Sequence, residues 1–399
     1  MTQTPRRPAW RDPPILAFML SETVIWASIF YVFPALVLHW QGEFGWSATA
    51  VMGAFSLALA VQGLAAPHMG RLIDRGGAPW AMPLGTLGAL AGLGLLTQVT
   101  AIWQFYAIWA WLGLMMAATL YDAAFSVVTR ARGAQARAGI TAITLAAGLA
   151  STLAYPLTAA VTAAEGWRMA VWTLGGLVLL LVMPLHRLAA RRLEAEARTR
   201  YADVTATSPD GTARTTRAMQ RPGFWPLGGG YALTALGAAV MMTHLLPLMA
   251  AMGVPEGLAI LAASTIGPAQ VAGRILLTLA GARAAARAVS LGAFILLACA
   301  ALAMGAAQAL PALVLVFAVA QGMGNGVISI LRPVVTREVM GEAGFGESAG
   351  AVARLSLFAF AIAPGLGAVL ADVAGYGAVL ALCVAAPLAG AALLKRLAA

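Results

Sequence analysis

A few side chains that can carry charge or a proton fall where the surrounding sequence is apolar. Glu22, Asp122, Arg274, Arg332 and Arg354 each sit inside or at the edge of a long hydrophobic run, and His244 joins them as a ring that titrates near neutral pH. An ionisable group inside such a run costs a few kcal/mol, so each is a functional candidate. A carboxyl group such as Glu22 can load and release a proton when its surroundings alternate between dry and wet; the alternative is a carboxylate permanently paired with an arginine. A buried guanidinium such as Arg274 can grip a carboxylate with two parallel hydrogen bonds, or it can pair with helix carbonyls or snorkel to the surface. No nucleophile–base set is evident, and Cys299 and Cys383 both lie in apolar runs, which argues against a disulfide framework or a Cys-based metal site. The glycines of 322–326 follow no strand and precede no Gly-Lys-Ser/Thr, so they do not form a phosphate loop. Neither an enzyme nor a cofactor is expected.

The elements that position these groups follow from composition. Of the 399 residues 61% are hydrophobic and 10% charged, where a soluble domain carries roughly 25% charged residues. A soluble enzyme, a disordered chain and a disulfide-stapled secreted domain are thereby excluded. A helix needs about 20 apolar residues to cross the hydrocarbon core. Twelve such spans are expected near 14–40, 47–69, 80–100, 102–128, 139–162, 169–186, 224–252, 257–280, 288–308, 311–336, 348–371 and 376–394. The first is too long for a signal peptide and lacks a cleavage site.

The net charge of +10 is mostly a matter of topology. Arg6, Arg7, Arg11, Arg71, Arg75, Arg130, Arg132 and Arg137 fall on one set of alternating connections. The same set holds eight arginines within 187–222, then Arg283, Arg287, Arg332, Arg337, Lys395 and Arg396. The other set has Arg168 with Glu43, Glu165, Glu256 and Asp372. Basic residues favour the cytoplasmic side, so both termini are expected in the cytoplasm of a cell (inner) membrane, with no nucleic acid as partner. The polar stretch 187–222 divides the chain into an N-terminal bundle, 1–186, and a C-terminal bundle, 223–399. Its first part is expected as an amphipathic helix along the inner leaflet, and 203–216 as a flexible tether. Two six-span halves suggest a repeat architecture rocking about a midplane site. Spacings at Gly88/Gly92 and Gly346/Gly350, and the glycines of 322–326, suit close helix contact.

The connection after span 2 reads G-R-L-I-D-R-G-G, from Gly70 to Gly77. Gly70 can admit a neighbouring helix, Asp74 can accept from a helix N-terminus, and Arg75 can face anionic lipid or a carboxylate. The loop resembles the Gly-x-x-x-Asp-Arg signature of the major facilitator superfamily, as do the twelve spans and E-G-W-R at Glu165–Arg168. Two departures are plain: the loop continues Gly-Ala-Pro instead of with basic residues, and the equivalent loop after span 8 lacks the acid. Within the family, F-G-W-S-A-T-A at Phe44–Ala50, H-L-L-P-L at His244–Leu248 and Q-V-A-G-R at Gln270–Arg274 resemble bacterial monocarboxylate-porter-like members, although Gln270 stands where those carry an Asp.

The resemblance implies an all-α integral membrane fold of two six-helix bundles with a central cavity lined by helices 1, 4, 7 and 10. It makes Glu22, Asp122 and His244 candidates for proton coupling. Tyr121, Arg274, Gln321 and Asn325 become candidates for the substrate cavity. Gly70, Asp74, Arg75, Asp122, Arg332 and Arg354 become gating candidates, with Asp122 pairing one of the two arginines. The expected function is secondary active transport of a small solute by alternating access, coupled to protons, with an organic anion or monocarboxylate as the first substrate class. Two alternatives stand beside it: proton-antiport export of drug-like, cationic or arsenical compounds, and a non-transporting sensor on the same scaffold. The expected partners are the small-molecule substrate, protons and the lipid bilayer, and the expected oligomeric state is a monomer.

Overall fold

The computed structural model describes residues 11–202, 219–280, 285–341 and 345–398. The expected tether 203–216, and Arg6, Arg7 and Arg283, lie outside the described residues. The described residues form helices joined by short connections and contain no strand. The first half holds α1 (Pro13–Phe44), α2 (Ala48–Asp74), α3 (Ala78–Leu96), α4 (Ile102–Arg132), α5 (Ala136–Glu165) and α6 (Trp167–Arg200). In the second half, α7 (Phe224–Thr243) breaks at His244 and resumes, bent by 62°, as Leu245–Ala251. Then come α8 (Glu256–Ala280), α9 (Ala286–Ala306) and α10 (Leu313–Met340). The helical stretch Phe345–Lys395 is interrupted at Gly375, whose φ of 75° and ψ of 172° are not helical. It therefore comprises α11 (345–374) and α12 (376–395). With α7 taken as one helix and 345–395 divided at Gly375, a helix overlies each of the twelve expected spans among the described residues, and ten stretches, or eleven with α7, are long and apolar enough to cross a membrane.

Turn chemistry explains how such short connections suffice. Gly76 lies between α2 and α3 at φ 86°, and Gly166 between α5 and α6 at φ 83°. An L side chain is strained in that region, whereas glycine enters it freely.

Contacts divide the chain into two compact units, Met1–Phe33 with Val61–Thr207, and Pro34–Ala60 with Ser208–Ala399. Residues 34–60 count with the second unit through specific bonds. Thr49 Oγ1 donates to the Asp372 carboxylate, and the Gly365 amide donates to Ser56 Oγ at 2.9 Å.

The first unit is built around Ile15, Phe18, Ile73, Met82, Val127, Ile143 and Leu193. Leu193 belongs to the polar stretch that the sequence places along the inner leaflet. Instead α6 runs on without a break, and Ala189, Ala190, Leu193 and Ala197 are wholly buried. Three of these four are alanines, which let α6 approach its neighbours closely, and its charges find partners inside the unit. Glu194 is buried and takes Arg130 Nε at 3.0 Å and Arg198 Nε at 3.3 Å. Arg132 pairs Asp12 at 2.6 Å and Glu196 at 3.3 Å.

In the second unit Phe224, Leu227, Tyr231, Phe294 and Val335 form one core, and Tyr231 Oη lies 2.9 Å from Ser290 Oγ. The glycines of α10 are a packing device: a Cβ on Gly322 would stand 2.5 Å from the Ile266 carbonyl of α8, and one on Gly326 would collide with the Gln270 carbonyl. Gly88 and Gly92 likewise admit Met115 and Leu112 of α4. At Gly350 a Cβ would meet nothing within 4 Å, so no close helix contact forms there.

Candidate functional site

Glu22 lies two and a half turns into α1 and is wholly buried. Neither carboxyl oxygen has a hydrogen bond, and His186 Nε2 of α6 stands 3.7 Å from Oε1. The indole of Trp26 and the carboxylate of Asp122 are its other polar neighbours. His186 is also wholly buried; its Nδ1 is 2.9 Å from Thr86 Oγ1 of α3, and the edge of Phe18 packs on its ring. The helix of Glu22 widens into a π turn at Trp26–Tyr31, and α6 does the same at Val178–Val182.

Tyr121 and Asp122 follow a break in α4 at Leu120, where the backbone is extended. Tyr121 stacks on Phe125 and leans on Trp26, with ring centroids 5.0 and 4.8 Å apart. Asp122 is exposed and lines a recess of about 510 Å³ with Asp74, Ser126, Thr129, Arg130 and Arg200. Arg130 Nη1 donates to the Asp74 carbonyl, tying the motif loop to α4, and Arg200 Nη1 donates to the Arg130 carbonyl at 3.2 Å. Arg75 is exposed. The close approach expected at Gly70 is absent, since a Cβ there would meet nothing within 4 Å. Gly77 is crowded instead by its own turn, with the Leu72 carbonyl 2.7 Å from where its Cβ would be. Arg168 of the E-G-W-R segment caps α3 by donating to the Thr97 carbonyl at 3.0 Å.

In the second unit Arg274 of α8 is only 7% exposed, and its Nε donates to Ser329 Oγ of α10 at 3.3 Å. Gln321, a little over two turns earlier on α10, is buried with its amide nitrogen unbonded, and Asn325 between them is half-buried. Arg332 is half-buried near Tyr231, and Arg354 is exposed on α11. His244 occupies the break in α7, where Nε2 donates to the Pro364 carbonyl of α11 at 2.9 Å. A Cβ on Gly367 would stand 2.6 Å from that nitrogen, so the two helices meet there without room to spare. Asp122 belongs to the first unit, and Arg332 and Arg354 to the second.

The sequence model described as Major Facilitator Superfamily matches residues 18–284, well over half of the chain. The protein belongs to the major facilitator superfamily. It is a multi-pass membrane transporter, and its apolar helices and Gly-x-x-x-Asp-Arg loop are those of that superfamily. No curated protein matches the chain closely enough to name its solute. Two members of the buried cluster, His186 and Thr86, escaped the sequence reading of this facilitator. His186 stands where an apolar run meets arginines and reads as a span end, while Thr86 is one hydroxyl among many in an apolar helix. A histidine at the end of an apolar run is the signal that was available.

Proposed function

We propose that this protein is a proton-coupled secondary transporter of a small organic anion, working by alternating access in a cell membrane with both termini in the cytoplasm. The observation that carries the reading is Arg274. Its guanidinium is buried, bonds to the neutral hydroxyl of Ser329, and shares α8 and α10 with the polar side chains of Gln321 and Asn325. A buried guanidinium suits a carboxylate, which it can bind through two parallel hydrogen bonds. The likeness of Gln270–Arg274 to monocarboxylate-porter-like sequences supports the same substrate class. Glu22 supplies the proton site.

A second reading, export of cationic compounds against protons, rests on the carboxylates Asp74 and Asp122, whose recess also carries Arg130 and Arg200. The two separate in one experiment. Purified protein is screened for thermal stabilisation by carboxylates, cationic drugs and arsenicals, and the stabilising compounds are then tested for flux into liposomes under an imposed pH gradient. The anion reading expects stabilisation by carboxylates and pH-driven flux. Stabilisation by cations alone would favour export, and binding without flux would favour a sensor.

A further inference from the structure

We propose that Glu22 and His186 form a single proton-binding site, in which Thr86 fixes the imidazole so that its bare nitrogen faces the carboxyl. The inference rests on the proton-coupled reading and assigns the second half of its proton site. Thr86 has one hydroxyl hydrogen, and Oγ1 donates it to the Met82 carbonyl at 2.9 Å. The same oxygen lies 2.9 Å from His186 Nδ1. With its hydrogen committed, the hydroxyl can only accept, so the network assigns the hydrogen of the neutral ring to Nδ1. Nε2 is then an acceptor, and it points at Glu22 Oε1 from 3.7 Å.

Nε2 and both carboxyl oxygens are buried without a hydrogen bond. A deprotonated carboxylate facing a neutral imidazole would oppose lone pair to lone pair at a wholly buried site. One proton resolves this in either of two forms: a carboxylic O–H directed at Nε2, or an imidazolium N–H directed at the carboxylate. Passage between them breaks the Oε1–H bond as the Nε2–H bond forms and needs no other reactant. The separation exceeds hydrogen-bond length by about half an ångström or more, so transfer requires a small approach of α1 and α6. Both helices carry a π turn four residues from their half of the pair, Trp26–Tyr31 after Glu22 and Val178–Val182 before His186. Such turns recur at functional sites in helices. The other groups facing the pair are Trp26 on α1, Asp122 on α4 and the apolar edge of Phe18.

The pair itself can be tested spectroscopically before any substrate is known. Full-length protein labelled with ¹⁵N-histidine is placed in lipid nanodiscs, and the His186 nitrogens are assigned by comparison with His186→Asn. The expected spectrum shows Nδ1 protonated throughout and Nε2 alone responding to pH. Infrared titration of the Glu22 carboxyl band, assigned with Glu22→Gln, is expected to shift its midpoint in His186→Asn, whose amide can still donate to Thr86 but offers nothing to the carboxyl. Thr86→Val, read on the same ¹⁵N signals, is expected to release the fixed tautomer and serves as the second variant if His186→Asn does not fold. A ring protonated at Nε2 while neutral, or a Glu22 midpoint unmoved by His186→Asn, would overturn the pair. Proton-driven flux lost in Glu22→Gln together with an unmoved midpoint would overturn the pair and leave Glu22 as a lone carrier.

Discussion

Two buried groups divide the work at the level of single side chains. If the proposed anion reading holds, Arg274 is the fork that grips the carboxylate, and Arg274→Ala should weaken carboxylate binding by about 10- to 100-fold, the equivalent of roughly 1.5–3 kcal/mol for a charge-assisted bond. Arg274→Lys keeps the charge and loses the fork, so it should recover only part of the affinity; titration calorimetry with the best-stabilising carboxylate measures both. His244 behaves differently, because its Nε2 is committed to the Pro364 carbonyl at the bend of α7. His244→Ala should lower stability by about 1–3 kcal/mol, while His244→Gln, which can place a donor near the same carbonyl, should retain most of it. Melting of the purified proteins checks the pair. Glu22 was legible in the sequence because a carboxyl group in an apolar run is conspicuous. Its neighbour was not, since the Thr86–His186 contact joins positions 100 residues apart and no local periodicity reports it.

Helix packing shows where periodicity informs and where it stops. The apolar runs located twelve spans, and the glycine spacing of α3 and α10 marked real close approaches. The length of α6 was hidden, because 187–200 looks polar when counted by composition. Only the folded unit reveals that its alanines pack inward and that Glu194 sits between Arg130 and Arg198. Removing one partner of a buried pair leaves the other charge uncompensated. Glu194→Gln should therefore destabilise the first unit, by about 1–3 kcal/mol once the largely exposed Arg198 is discounted, with protection of α6 amides lost in hydrogen exchange. On α10, Gly326→Ala drives a Cβ into the Gln270 carbonyl, a backbone atom that cannot swing aside. Overpacking of this kind costs about 1–3 kcal/mol. Gly70→Ala meets open space and should leave the melting temperature unchanged, so any loss of transport in that variant reflects movement of the motif loop.

For the molecule as a whole, the +10 charge and the low charged fraction tell one story. Arginines gather on one set of connections, which the proposed orientation puts in the cytoplasm, and few charges remain for the interior. Single cysteines introduced at Ala164 and at Gln135, both exposed, in a background of Cys299→Ser and Cys383→Ser, should label from opposite faces of intact cells, the first from outside. Family membership establishes transport and leaves coupling to be measured. The most direct test is proton flux in liposomes holding the wild type or Glu22→Gln, with an internal pH dye and the carboxylate that stabilises the protein best. The account predicts that wild type acidifies the lumen as the carboxylate enters, and that Glu22→Gln still binds the carboxylate but moves no protons with it. Proton movement in Glu22→Gln equal to that of wild type would contradict it.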